Sequence, residues 1–305
     1  MITRHTRGKV VWVDMESPTL DELQSIMREF RIDARVEEEI ISPTPYPIVV
    51  SFPSYIYMIL HFPTTEASGG AKRQEIDFIV GKNFLITARY EVIETIHNLH
   101  KVFEAEELLD LPIHETHASE LFERMMRRLY GAIRQESERI GIMLERIEKD
   151  IFAGHEREIV HTISEVNRVL LRFDTTLRRH AESLDLVFEH LSAASFFGKG
   201  FMVHASHIAA ERDHVAALIA SYREVAGELR ITNDSLLSSS QNQVMKSLTI
   251  MSFVTFPLTF LAALFAMETD YLPIIGIHGD FWIILAIMLS LALSFLTFFK
   301  VKRWI

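Results

Sequence analysis

The arrangement of apolar and polar positions changes character along the chain. Up to about residue 115, short apolar runs alternate with polar breaks, as expected of an α/β domain. Val10–Val13 predicts a strand, as do Ile48–Phe52 with Tyr55–Phe62, and Glu75–Val80 with Phe84–Ala88. Between the last two, Gly81-Lys82-Asn83 predicts a hairpin turn. SPTLDELQSIMREF predicts a helix with Ser17 as N-cap, Pro18 at its first position, and Leu20, Leu23, Ile26, Met27 and Phe30 on one face.

From about residue 116 the strand signal gives way to long, charged helical periodicities. Leu121, Met125, Leu129, Ala132, Ile133, Ile140, Met143, Leu144 and Ile147 make one apolar stripe, and Gly154 predicts the end of that helix. A second helix is expected from about Glu156 to Ser195, with SFFGKGF as the next break. After Gly200 no proline occurs until Pro257, so one helix is predicted from Phe201 to Met267. At 1.5 Å per residue it would be about 100 Å long, too long for one small domain. Its natural reading is a stalk that ends across a membrane.

Ser247–Met267 holds 21 residues without a charge and Phe281–Phe299 another 19, lengths that suit a bilayer core of about 30 Å. The expected organisation is therefore a cytoplasmic α/β domain at 1–115, a long helical stalk at 116–243, and a transmembrane domain at 244–305 with helices at about 247–267 and 281–299. Lys246 precedes the first span and Lys300, Lys302 and Arg303 follow the second, whereas the loop from Glu268 to Asp280 has no Lys or Arg. The positive-inside rule then puts both termini in the cytoplasm, as a multi-pass protein of the cell's inner (plasma) membrane. The N-terminus MITRHTRGKV runs straight into VVWVD without a signal-peptide pattern.

Composition narrows the chemistry. With no cysteine there is no disulfide or thiolate metal site, and the net charge of −10 does not favour a nucleic-acid partner. No Gly-rich phosphate loop or triad spacing stands out, so neither an enzyme nor a catalytic cofactor is expected.

Several segments resemble the CorA family of magnesium, cobalt and nickel channels: MKSLTIMSFVTFPLTFLAALFAMETDYLPIIG with the terminal FFKVKRWI, and, nearer the N-terminus, VWVDMESPTLDELQSIMREFRID, YIYMILHFP and NFLITAR. The resemblance implies a funnel-shaped homopentamer in the lipid bilayer. In it the first transmembrane helix of each subunit lines a central pore, the second surrounds it, and divalent cations enter passively. One departure stands out. The family signature at the outer mouth is Tyr-Gly-Met-Asn, and here the aligned residues are Phe265-Ala266-Met267-Glu268.

A pore-lining helix should show one face at alternating three- and four-residue steps. Asn242, Met245, Thr249, Ser252, Phe256, Thr259, Ala263 and Ala266 follow those steps. The polar members could hydrogen-bond the water shell of an ion, and Met245 and Phe256 could form dewetting constrictions. Ser and Thr also pack membrane helices together, and off-stripe Ser247 and Thr255 fit that reading. At the mouth, Ala266, Met267 and Glu268 are the candidate selectivity residues. Repeated around an axis, Glu268 would attract cations; alone, it reads as an acidic residue at the water interface. Asp270, His278 and Asp280 add to the acidic loop. A carboxylate ring in place of asparagine suits dehydrated or softer ions such as Zn²⁺, or passage coupled to protons.

His204, His207, Glu211 and His214 fall on one helix face and are candidates for a regulatory metal site, the alternative being a solvated polar face. His97 with His100, and His114 with His117, repeat the i, i+3 spacing, and Glu37-Glu38-Glu39 and Glu104–Asp110 are acidic runs that could gather cations. A divalent-cation channel, a proton-coupled zinc transporter and a non-conducting membrane-anchored scaffold or sensor are the functions this sequence allows.

Overall fold

A computed structural model of the protein describes residues 1–65, 71–109, 117–193, 200–267 and 279–302. They divide into two compact units, Met1–Arg230 and Ile231–Ile305.

The first unit is built on a six-stranded sheet. In chain order its strands are β1 (Ile2–Arg7), β2 (Val10–Glu16), β3 (Ile48–Ser51), β4 (Tyr55–Thr65), β5 (Ala71–Gly81) and β6 (Phe84–Arg89). Across the sheet they run β1-β2-β6-β5-β4-β3, antiparallel except for the parallel pair β2–β6. The helices α1 (Leu20–Phe30) and α2 (Ala34–Ile40) lie between β2 and β3 in sequence. They close one face of the sheet, where Val13, Met15, Leu23, Met27, Val36, Tyr57 and Ile79 share a core. The opposite face carries Trp12, Phe62 and Phe78 and packs on α3 (Glu94–Leu108), α4 (Ala118–Phe152) and α5 (Glu156–Ala193), through pairs such as Phe78 with Phe122 and Phe62 with Tyr130. Because both faces are covered, every residue from Tyr55 to Pro63 is buried, and β4 reads as a continuous apolar run rather than an alternation.

The expected hairpin is present, with Val80 opposite Leu85. Gly81 leaves room there for the Phe84 ring, which would have to shift for a Cβ that fell 2.3 Å from it. The N-terminus of α1 differs from expectation. The N-cap is Thr19, not Ser17: Thr19 accepts from the Glu22 N–H at 3.3 Å, and the Glu22 carboxylate accepts from the Thr19 N–H at 2.9 Å. Ser17 sits at φ 42° and donates instead to the Tyr90 carbonyl. This capping box satisfies two backbone donors, where Ser17 would satisfy one. Leu20, expected on the apolar face, is 53% exposed.

Gly154, at φ 90°, ends α4 as predicted: its N–H reaches the Ile151 carbonyl at 3.3 Å and that of His155 the Asp150 carbonyl at 3.1 Å. The α4 stripe is buried except at Met143, which is exposed, and Ala132, which is half-buried; Tyr130 and Ser137 are buried in addition. At Gly141 the ring of Tyr222 approaches so closely that a Cβ would lie 2.6 Å from it.

His180 of α5 is fully enclosed. The Tyr130 hydroxyl donates to its Nδ1 at 3.0 Å, and its Nε2–H donates to the His61 carbonyl at 2.7 Å, an arrangement that needs a neutral ring. Burial pulls its pKa from 6.5 down to about 4. The unfolded chain therefore binds this proton first, so as pH falls below 6.5 the folded state loses about 1.4 kcal/mol per pH unit from this group, until about pH 4. His180→Gln should lower the melting temperature at neutral pH, and the gap to the parent protein should narrow from about pH 7 to about pH 5. Melting curves with a constant gap would show that His180 is not the titrating group.

The helix α6 (Phe201–Phe265) passes through the unit boundary, and α7 (Asp280–Val301) completes the second unit. Both contain stretches long and apolar enough to cross a membrane. Pro257 lies inside α6 and withholds the N–H that the Phe253 carbonyl would otherwise receive. Within this unit α6 meets α7 through Phe253 and Phe299, whose ring centroids are 6.2 Å apart. Leu261 lines a groove with Ile283, Ile287 and Ser290 of α7.

Candidate functional site

The expected pore stripe occupies one side of α6. At 100° per residue it centres roughly 160° around the helix from Leu261 and about 80° from Phe253, the two α6 residues seen at α7. The chain's own second apolar helix therefore packs on the back and one flank of α6, away from the centre of the stripe. Asn242, Thr259, Ala263, Ala266 and Met267 are exposed, Thr249 and Ser252 are half-exposed, and Met245 and Phe256 are 62% and 72% exposed.

The stripe hydroxyls are oriented by their own helix. Thr249 donates to the Met245 carbonyl at 2.8 Å and Thr259 to the Thr255 carbonyl at 3.0 Å. With the proton spent on the backbone, each oxygen keeps its lone pairs for an outside donor or a cation. Off-stripe Ser247 makes the same bond to the Gln243 carbonyl at 3.1 Å, so the back-bond fixes orientation without distinguishing the stripe. Of the residues expected at the mouth, Ala266 and Met267 follow the last turn of α6. Glu268, Asp270 and His278, and the side chain of Asp280, lie outside the described residues.

The histidine group is divided among other partners. His204 and His207 donate from Nδ1 to the two carboxylate oxygens of Glu123 on α4, at 2.5 and 2.8 Å. Burial would raise the Glu123 carboxyl, but the hydrogen bonds and charges of the two imidazoles outweigh it and hold the pKa below its ordinary value. Glu211 lies 3.7 Å from Arg127, which also reaches Glu123 at 3.7 Å. His214 is exposed and makes no such contact among the described residues. No set of three or more His, Asp or Glu groups is arranged to hold a metal among the described residues. The three- and four-residue steps put the four on one helix face in sequence, but Glu123, 81 residues away from His204, claims two of them.

The other pairs separate as well. His100 is buried and bonded to Asp14 and His5, whereas His97 is exposed. His117 precedes α4, and His114 lies outside the described residues. Of the acidic runs, Glu106 is paired with Arg7 at 2.7 Å and Arg124 at 2.5 Å, so it is a structural ion pair.

A family model described as CorA-like Mg²⁺ transporter protein matches residues 7–303. The chain belongs to this CorA-like family. It is 21% identical over 286 residues to the cobalt/magnesium transport protein CorA of Thermotoga maritima, covering 93% of this chain and 80% of that protein. The solved structure of the CorA magnesium transporter from Methanocaldococcus jannaschii superposes with a TM-score of 0.83 at 20% identity, covering 99% of this chain and 93% of that one. The cytoplasmic domain of ZntB from Vibrio parahaemolyticus gives 0.62 at 11% identity, over 76% of this chain and 90% of the other. These likenesses extend the CorA fold to this chain: an N-terminal α/β part, a long helix and two apolar C-terminal helices.

Proposed function

We propose that the protein is a homopentameric channel or transporter for divalent metal cations, with a pore lined by α6. The observation that carries this reading is the stripe from Asn242 to Ala266, with its polar members Asn242, Thr249, Ser252 and Thr259, centred away from the α6 residues that meet α7. One subunit supplies a single such stripe, so a closed pore needs several copies around an axis. Residues 1–243 then lie in the cytoplasm and 244–305 in the inner membrane, with Ala266, Met267 and Glu268 at the outer mouth. Mg²⁺, Zn²⁺, Co²⁺ and Ni²⁺ are the candidate cargoes. His204 and His207, oriented by Glu123, form two ligands of a regulatory metal site that another subunit would complete, with Glu211 and His214 nearby.

Flux into proteoliposomes, offering each ion with and without a pH gradient, tests this. Uptake of at least one divalent ion is expected. Selective Zn²⁺ entry that follows the proton gradient would identify a proton-coupled zinc transporter, the reading favoured by a titratable carboxylate at position 268. Absence of flux for all four ions from correctly assembled protein would identify a scaffold or sensor.

Phe256 should gate. As a ring of large apolar side chains it would exclude water, so Phe256→Ala should raise flux several-fold. Unchanged or lower flux from normally assembled variant would remove Phe256 from the gate.

A further inference from the structure

Between the sheet and α5 lies a cavity of about 450 Å³, within the size range of small-molecule sites. Arg172 and Arg179 stand two helical turns apart on α5 and so share a face, with Thr175 and Thr176 between them; Arg73 enters from β5. Among the described residues no acidic side chain lines the cavity. Among the described residues neither Arg73 nor Arg179 has an ion-pair or hydrogen-bond partner. His61, also in the lining, is hydrogen-bonded to Glu75 at 3.2 Å, and that carboxylate is taken up further by the Thr44 N–H at 2.9 Å and the Thr44 hydroxyl at 3.2 Å. The wall at His180 is uncharged, both of its ring nitrogens being used internally.

Three guanidinium groups are thus held around one concave surface in a chain whose net charge is −10. An anion bound between them would lower their mutual repulsion. A guanidinium matches a phosphoryl group best, because its fork of N–H donors meets two oxygens of one phosphate at once. Opposed groups on a helix and a strand suit an anion that offers oxygens on more than one side.

We propose that this cavity binds a small phosphate-bearing solute, with Arg73, Arg172 and Arg179 on its phosphoryl oxygens. Such a ligand would tie α5 to β5 in the first unit. The proposal stands on that unit alone and is independent of the cation carried.

The test is calorimetric titration of pyrophosphate into the detergent-solubilised full chain, in buffer free of divalent ions, with orthophosphate and sulfate as comparison arms at matched ionic strength. Saturable pyrophosphate binding is expected, tighter than sulfate, together with a rise in melting temperature. Arg73→Gln and Arg179→Gln should each weaken it about tenfold, and Arg179→Lys less than Arg179→Gln. Arg157→Gln, an exposed position at the other end of α5, should leave it unchanged. All four substitutions are at exposed arginines, so melting without ligand should stay at the parent value. No saturable binding, equal weakening by Arg157→Gln, or equally tight sulfate would overturn the proposal. Loss of oligomer in Arg179→Gln without any pyrophosphate binding would overturn it too, and assign the arginines to a neighbouring subunit's acidic side chains.

Discussion

Replacing Asp14 by Ala should destabilise the first unit by about 3–5 kcal/mol, the range for breaking a buried ion pair from one side. Asp14 is 2% exposed and accepts from the Thr87 hydroxyl at 2.6 Å, His100 Nε2 at 2.9 Å, and Arg89 Nη2 and Nε at 3.0 and 3.2 Å. Burial alone would raise its pKa, but the hydrogen bond from His100, the charge of Arg89 and the bonds from Thr87 and Arg89 outweigh it, so the carboxyl titrates below its ordinary value. Removing it leaves the Arg89 guanidinium, whose side chain is 4% exposed, with Glu16 as its remaining ionic partner. It also frees the far end of the His5–His100 pair, joined at 2.8 Å. Trp12 lies flat on His100, with centroids 4.2 Å apart, and its indole N–H donates to Thr87 at 3.1 Å, so tryptophan fluorescence can follow local loosening here. The measurement is the melting temperature of the full chain, where a loss of roughly 10 °C is expected. Asp14→Asn keeps the shape but not the charge and should fall between. A melting temperature within about 1 °C of the parent would mean that Arg89 finds enough compensation in Glu16 and water.

None of this network was visible as a network in the sequence. Asp14, Thr87, Arg89 and His100 belong to three separate elements, and His100 read most naturally as half of a metal-ligand spacing. What the sequence carries well is local pattern: the β4 run, the two-residue hairpin at Lys82-Asn83 and the Gly154 stop are each set by neighbours a few positions away. The strand β1, ITRHTR, was missed because its edge position leaves it polar, although Gly8 at φ 57° in the turn to β2 was a usable signal. The helix α2 has only 7 residues, and in α3 the acidic run disguised a buried face of Ile96, Leu99, His100 and Phe103. For the candidate sites the same rule holds. Spacing on one helix was readable, but the partner that helix meets was not, so Glu123 beside His204 and His207, and Arg73 opposite Arg179, emerged only from the fold. The mouth at Glu268 rests on the family resemblance and the charge pattern.

Glu268→Gln should weaken cation capture roughly threefold to tenfold at low salt, if the carboxylates form a ring around a shared axis. In sequence Glu268 follows directly on Met267 at the end of the first apolar helix, whose terminal carbonyls carry partial negative charge. A further carboxylate there is unfavourable for an isolated subunit, and several copies around one axis repel one another. The repulsion falls only when cations occupy the mouth or some carboxyls hold protons. Glutamine keeps the shape and removes one charge per subunit, so the loss should be greatest at low ion concentration and fade as salt screens the mouth. Glu268→Asn combined with Ala266→Gly restores the Gly-Met-Asn of the family signature, and should shift preference toward Mg²⁺, which gives up its water reluctantly and is better held by neutral oxygens. Concentration-dependent uptake of Mg²⁺ and Zn²⁺, normalised to assembled protein, reads both effects. If Glu268→Gln leaves apparent affinity and ion preference unchanged at low salt, the carboxylate is no selectivity element, and Glu268 is an ordinary acidic residue at the water interface.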